Sequence, residues 1–401
     1  MKVGLIFAGK FSVPTGVSRY VTELATRLAA EHEVHLILSD GDFNLSGVQI
    51  HTHQFHQHPF TQFNPTFPGV KSLWHVAYLT IGVLLNAVRN TRMATSVRKA
   101  HTLDIIHAQS TDALSADVVT FHACLKAALQ RNRPVSRHMR IQHQLGAILF
   151  APYTYTSLAL ESHIIRHTRR IITVSESLKD DLVRSYGISR DRITVIPLGV
   201  DMERFKPDPD KRNEIRKALG IRREETVAIF VGHYFESKGL EAILDAIEPL
   251  SSVRLIVIGN DLNLPRFRKR VEASGFGNRV IFTGSLGQGI EHYYAAADMF
   301  VLPSESEGFC VAAIEAAACA LPLIVTPVGE LPAFVEDGVT GYLVGRNPTE
   351  IRERIAHLAT QPTIRLEMGM KARERARHYS WQNVKEATLE VYRTLMTDSN
   401  Y

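Results

Sequence analysis

The sequence predicts an α/β protein made of two Rossmann-like domains facing a central cleft. Three observations lead there. A strand, a glycine-bearing turn and an amphipathic helix open the chain at Lys2, and the same order opens again at Val227. Between them, short apolar runs alternate with helical patterns, as expected of parallel strands joined by crossover helices. At 401 residues the chain is also too long for one ordinary core.

Composition fits a globular chain, with 45% hydrophobic and 22% charged residues. Residues 1–200 carry 21 Lys+Arg against 13 Asp+Glu, and 14 of the 18 histidines. A basic half suits an anionic membrane surface or an acidic acceptor; no nucleic-acid-binding motif accompanies it, so nucleic acid is not expected as a partner. Cys124, Cys310 and Cys319 show no metal spacing and read as reduced thiols of a cytoplasmic protein. MKVGLIFAG reads as a strand rather than a signal peptide, since polar Lys10–Ser12 follows at once.

Lys2–Ala8 reads as a buried strand and Gly9–Gly16 as a turn. Val17, Tyr20, Val21, Leu24 and Leu28 then recur at helical spacing. Gly16 therefore sits at a helix N-terminus, either as an ordinary helix-start turn or as a place suited to a phosphate. Val34–Leu38 is a second strand. The tract that follows, to about Gly69, includes HTHQFHQHPF; His51, His53, His56 and His58 lack acidic or cysteine partners there. It reads as solvated loop or acceptor-site surface rather than as a metal site. Leu73–Val88 is the most apolar segment. At 16 residues it falls short of the ~20 that span a bilayer, and reads as a core helix or as one lying on an anionic membrane.

Asp104–Ala108 and Asp117–His122 read as parallel strands that bring His107 and His122 to the ligand edge of a sheet; either could equally be a satisfied core histidine. Residues 126–170 read as basic helix, a solvated face or a bed for a phosphorylated or lipid-linked acceptor. Ile171–Ser175 and Ile193–Pro197 are further strands, and the Pro- and Asp-rich LGVDMERFKPDPDK is a natural linker. After the strand Val227–Val231 comes GHYFESKG, where Lys238 could neutralise a diphosphate. Arg254–Gly259 and Arg279–Thr283 continue the sheet.

The segment Met299–Thr326, MFVLPSESEGFCVAAIEAAACALPLIVT, is the most informative. It reads as strand, acidic loop, buried helix and strand. Glu307 lies in the loop and Glu315 inside the helix. A charge among alanines is costly unless paired, so Glu315 is either half of a buried ion pair or an acceptor for sugar hydroxyls. The amides of Gly308, Phe309 and Cys310 at the helix start suit an anionic ligand.

PS-x3-EGF…EA-x4-LP, followed by Gly329-Glu330 and Asp337-Gly338, resembles the Glu-x7-Glu donor-site signature of retaining GT-B glycosyltransferases of the family 4 (group 1) type. The resemblance implies a GT-B fold, with residues 1–190 on the acceptor side and 191–380 binding the nucleotide-sugar. It further implies that a terminal helix in 381–401 returns to the first domain. By the same resemblance Glu307 reaches hydroxyls of the transferred sugar, Glu315 holds the ribose, Leu286 lies in the base-binding loop, and His122 meets the sugar near the reacting carbon. Gly16, Lys238, Gly308, Phe309 and Cys310 face the phosphates. Where this family usually carries Gly-Gly and Arg, the chain has Thr15-Gly16 and His233.

The expected activity is transfer of a sugar, with retention, from a UDP-sugar or GDP-mannose to a glycan, glycolipid or polyprenyl-linked acceptor, in polysaccharide or lipopolysaccharide synthesis. His122, Glu307 and Lys238 are the expected catalytic residues. No cofactor or metal is expected, since Lys238, His233 and the helix N-terminus can stabilise the departing diphosphate. Two alternatives share the fold: a UDP-N-acetylglucosamine epimerase, and a non-catalytic sugar-nucleotide-binding protein.

Overall fold

The computed structural model describes residues 1–8, 16–39, 43–52, 68–131 and 137–397, without the side chains of 68–78 and 137–150. The expectations for Lys10–Ser12, Thr15, His53, His56, His58 and Arg133, and for the side chains of Lys71, His75, Arg137 and Arg140, lie outside the described residues. Two compact units are present: Met1–Ile196 with Val384–Tyr401, and Pro197–Asn383.

In the first unit seven strands form one parallel sheet: β1 (Lys2–Phe7), β2 (Glu33–Leu38), β3 (Val48–Thr52), β4 (Ile105–Gln109), β5 (Val118–Phe121), β6 (Arg170–Thr173) and β7 (Ile193–Val195). Their order is β3-β2-β1-β4-β5-β6-β7. Strand β1 pairs with β2 from Lys2↔Glu33 and with β4 from Val3↔Ile105, so the strand order reverses at β1 and β4. β4 and β5 are buried along their whole length, the signature of a sheet covered on both faces. The helix Gly16–Ala29 buries Tyr20, Val21, Leu24 and Leu28, the face its spacing predicts.

β3 corrects the sequence reading, which left residues 39–69 without regular structure. Its five residues VQIHT are half-exposed at the sheet edge, so they lack the apolar run that marks an internal strand. The apolar segment Leu73–Val88 is part of a 34-residue helix, Pro68–His101. No helix among the described residues is long and apolar enough to cross a membrane. In the helix Trp381–Thr397, buried Tyr392 hydrogen-bonds His107 Nδ1 at 2.6 Å, and Lys385 Nζ lies 2.8 Å from Glu31.

The second unit holds β8 (Thr226–Val231), β9 (Val253–Ile258), β10 (Val280–Gly284), β11 (Met299–Leu302), β12 (Leu323–Val325) and β13 (Gly341–Leu343). This sheet is also all parallel, in the order β10-β9-β8-β11-β12-β13, and reverses between β8 and β11. In open parallel sheets ligands bind beyond the carboxyl ends of the strands where the order reverses. In this unit those ends carry Gly232–Lys238 and Pro303–Cys310.

Candidate active site

Two glycines let the neighbouring loops close on the one after β11: Gly239 after β8 and Gly329 after β12. Gly239 has φ +78°, and a Cβ there would collide with the Pro303 carbonyl oxygen. Gly329 has φ +61°, and its Cβ would lie 2.7 Å from the Glu307 carbonyl oxygen. The close approach puts Lys238 Nζ 2.5 Å from Glu307 Oε1, which also accepts from Ser304 Oγ at 2.6 Å. Both donors converge on one carboxylate oxygen; Oε2 has no hydrogen bond among the described residues. An ammonium and a carboxylate thus stand at the mouth of the sheet, each held in place by the other.

Cys310 adopts φ 65°, ψ 65° ahead of the helix Val311–Ala318. That left-handed conformation costs a non-glycine residue of order 1 kcal/mol, and it turns the chain from the acidic loop into the helix. A helix start leaves its first amides without intrahelical partners, which suits an anion. The Phe309 and Cys310 side chains are buried, so backbone rather than side chain is what this turn offers. Burial, and next the Glu307 charge, push the Cys310 thiol up; burial does the same at Cys319 and Cys124, so all three stay protonated.

Glu315 is buried on the same helix, and the hydroxyl of fully buried Tyr294 lies 3.2 Å from its Oε2 and 3.2 Å from the Ala312 carbonyl. Burial, and next the Glu315 charge, hold the tyrosine pKa far above its usual value. Tyr294 is therefore a permanent donor to the carboxylate. Nothing in the spacing of the sequence marks Tyr294 or Ser304 as site residues, because each acts by supporting a glutamate.

His233 is exposed, with Nδ1 3.1 Å from both the nitrogen and the oxygen of Asn260. Its tautomer decides whether Nδ1 accepts from the amide or donates to the carbonyl. Leu286 is half-buried just past β10, two strands from β8 at the same edge of the sheet.

In the first unit the carboxyl edge gathers a different set. His122, half-buried at the end of β5, bonds Gln109 Oε1 through Nε2 at 3.0 Å and stands edge-on to Tyr20 at 5.2 Å. Burial lowers its pKa to about 4, so the ring is neutral. Gln109 Nε2 is buried with no partner among the described residues. Asp112 accepts from the Ala8 amide at 2.8 Å, and burial lifts its carboxyl to about 7 against that bond. Gln109 and Asp112 escape sequence reasoning because each is an isolated polar residue, one ending an apolar strand and the other just past it. Gly16 begins its helix, and a Cβ there would meet nothing within 4 Å among the described residues.

His107 turns out to be a core histidine. It is fully buried, with Nδ1 on Tyr392 and Nε2 on Thr120 Oγ1 at 2.7 Å, and burial lowers its pKa to about 3. His51 departs from the solvated-loop reading: it lies in β3 and stacks on His35 at 5.1 Å.

Two family models match the chain in succession: Glycosyltransferase Family 4 over residues 14–204, and Glycosyl transferases group 1 over residues 211–377. A D-inositol 3-phosphate glycosyltransferase of Saccharomonospora viridis is 31% identical over 61% of this chain and 60% of its own length. One from Streptomyces bingchenggensis is 32% identical over 59% and 55%. The chain thus spans little more than half the length of these curated relatives. Among solved structures, sucrose-phosphate synthase from Thermosynechococcus elongatus superposes with a TM-score of 0.76 at 21% identity, covering 99% of each chain. The Anabaena protein HepE, solved with UDP and glucose, gives 0.71 at 18% identity, covering 98% of this chain and 99% of its own. The two-sheet architecture is the GT-B fold, and the chain belongs to the group 1, family 4 glycosyltransferases.

Proposed function

We propose that this protein transfers a sugar from a nucleotide-sugar to an acceptor hydroxyl with retention at the anomeric carbon. The observation that carries the reading is the Lys238–Glu307–Ser304 cluster at the reversal point of the second sheet, beside the start of the helix that holds Glu315. Lys238 and the amides around Phe309 and Cys310 neutralise the charge that develops on the leaving diphosphate. His233 supplies a further donor to that charge. Glu307 Oε2 accepts hydroxyls of the transferred sugar, while Glu315, fixed by Tyr294, accepts the ribose hydroxyls. The Leu286 loop packs against the base. In the first unit neutral His122 receives a sugar hydroxyl near the reacting carbon, and Gly16 gives the phosphates room.

In the reaction the bond from the anomeric carbon to the diphosphate oxygen breaks and the bond to the acceptor oxygen forms on the same face. The acceptor proton passes to the departing phosphate. The charged donors suffice for the leaving group, so the proposed chemistry is metal-independent. A UDP-sugar is the favoured donor, since HepE is a structural relative solved with UDP and glucose.

The acceptor follows from the basic first half: a glycan or lipid-linked acceptor of cell-envelope or polysaccharide synthesis, reached at an anionic membrane surface. A second reading, favoured by the relatives' names, is a small phosphorylated polyol. Product analysis tests the proposal. Incubation with UDP-sugar and these acceptors should give a glycoside, and none should form without acceptor. Conversion of UDP-N-acetylglucosamine to its epimer by donor alone would instead make the protein an epimerase, and binding without turnover would make it a sugar-nucleotide receptor.

A further inference from the structure

Three histidines distant in sequence converge in the first unit. His35 lies in β2, His51 in β3, and His101 ends the helix Pro68–His101. One ring nitrogen from each lies within 4.8 Å of the other two. The ring centroids are 5.1, 4.4 and 5.3 Å apart for the pairs His35–His51, His35–His101 and His51–His101. The β2–β3 register explains the first pair. His51 sits beside Ile37, two residues beyond His35 on the same face of the sheet.

We propose that His35, His51 and His101 bind a divalent transition-metal ion, with Zn²⁺ the best match. Three imidazoles suit zinc, and the oxygen-preferring Mg²⁺ and Ca²⁺ have no ligand of their kind among the three. The His35 tautomer is already set for it. Glu33 Oε1 lies 2.9 Å from His35 Nε2, so that nitrogen carries the proton and Nδ1 presents its lone pair. A carboxylate behind a histidine is the usual outer partner of a zinc ligand. Glu33 is itself held by Lys2 Nζ at 3.2 Å.

His35 Nδ1 faces His51 Nε2 at 2.9 Å, a hydrogen bond. Moving the His51 proton to its other ring nitrogen frees Nε2 without net loss of a proton. Zn–N bonds of ~2.0–2.1 Å in a tetrahedron place the nitrogens ~3.4 Å apart, so this pair opens by roughly half an ångström. His35 is fully buried, while His51 and His101 are half-buried, which leaves an entry path and a fourth position for water.

The site stands apart from the proposed chemistry. His35 and His51 lie in β2 and the edge strand β3, and His101 precedes β4 on the amino-terminal side, whereas Gln109 ends β4 and His122 follows β5, on the other side of β1. Its effect is structural: the ion ties the end of a long helix to the edge pair β2–β3.

The test uses the full chain stripped with EDTA and then exposed to Zn²⁺ alone. About one equivalent should be retained through gel filtration and should raise Tm by mass action. Co²⁺ in its place should give the visible absorption of a tetrahedral site. His51→Gln and His101→Gln, at half-buried positions that tolerate the change, should lose both the metal and the Tm rise. Glu33→Gln should weaken Zn²⁺ binding by ~10-fold or more. The proposal is overturned if the wild type retains no Zn²⁺, or if the two histidine variants retain it at wild-type stoichiometry. In either case the three rings are only a packing cluster.

Discussion

Removing the Glu315 carboxylate should separate nucleotide binding from sugar chemistry. Glu315 is only 5% exposed, and its carboxylate is oriented by Tyr294 across 3.2 Å. If it receives the ribose hydroxyls, Glu315→Ala removes hydrogen bonds to a charged group, about 1.5–3 kcal/mol each. One such bond lost weakens nucleotide affinity by roughly 10-fold to 150-fold. Tyr294→Phe is the subtler probe. Its single proton is shared between Glu315 and the Ala312 carbonyl, and the distance is long for a bond to a carboxylate. Its loss should therefore cost at most ~1.5 kcal/mol, about tenfold in affinity. Isothermal titration with UDP, on variants whose circular dichroism matches the wild type, measures both. Glu307→Ala is the contrast, with turnover falling far more than UDP affinity. Unchanged UDP affinity in Glu315→Ala would refute the ribose assignment.

Four further outcomes are expected. Transfer activity should survive EDTA; its abolition, with restoration by Mg²⁺ or Mn²⁺, would overturn the metal-independent scheme. Asp112 has its carboxyl raised from 3.8 to about 7, so the native chain binds more protons than the unfolded one between those values, and its contribution to stability is lost as pH rises through that window. Asp112→Asn should accordingly be more stable than the wild type near pH 8, by roughly 1–2 kcal/mol, in urea denaturation, with the gap closing toward pH 4. His233→Arg should tighten donor binding, because a guanidinium offers a planar fork of donors to phosphate oxygens; unchanged donor affinity in isothermal titration would remove His233 from the phosphate site. Sedimentation with anionic vesicles should show salt-sensitive binding, and equal recovery with neutral vesicles would leave only a soluble acceptor.

The parts of this molecule that were legible in the sequence are those in which one segment carries its own explanation. β8, β11 and β12 are short apolar runs because both faces of a parallel sheet are covered, and the helix Gly16–Ala29 buries the face its periodicity marks. Glu307 and Glu315 stood out as charges in a buried segment. What was not legible depends on distant partners. Tyr294 is an ordinary aromatic until its hydroxyl meets Glu315, and Asp112 an ordinary turn aspartate until burial raises its pKa. The histidine tract pointed to His51 as solvated surface. The partners that enclose it, His35 and His101, come from another strand and from a helix end, where no local spacing could reveal them.

The most direct test of the central claim is the anomeric configuration of the product. With UDP-glucose and an accepting glycan, lipid-linked sugar or phosphorylated polyol, the proton spectrum of the first-formed glycoside should show the α configuration of the donor. Lys238→Ala, which removes the cation beside Glu307, should slow its formation severely without changing the configuration of the product that still forms. A β-configured first product would contradict same-face transfer at this site.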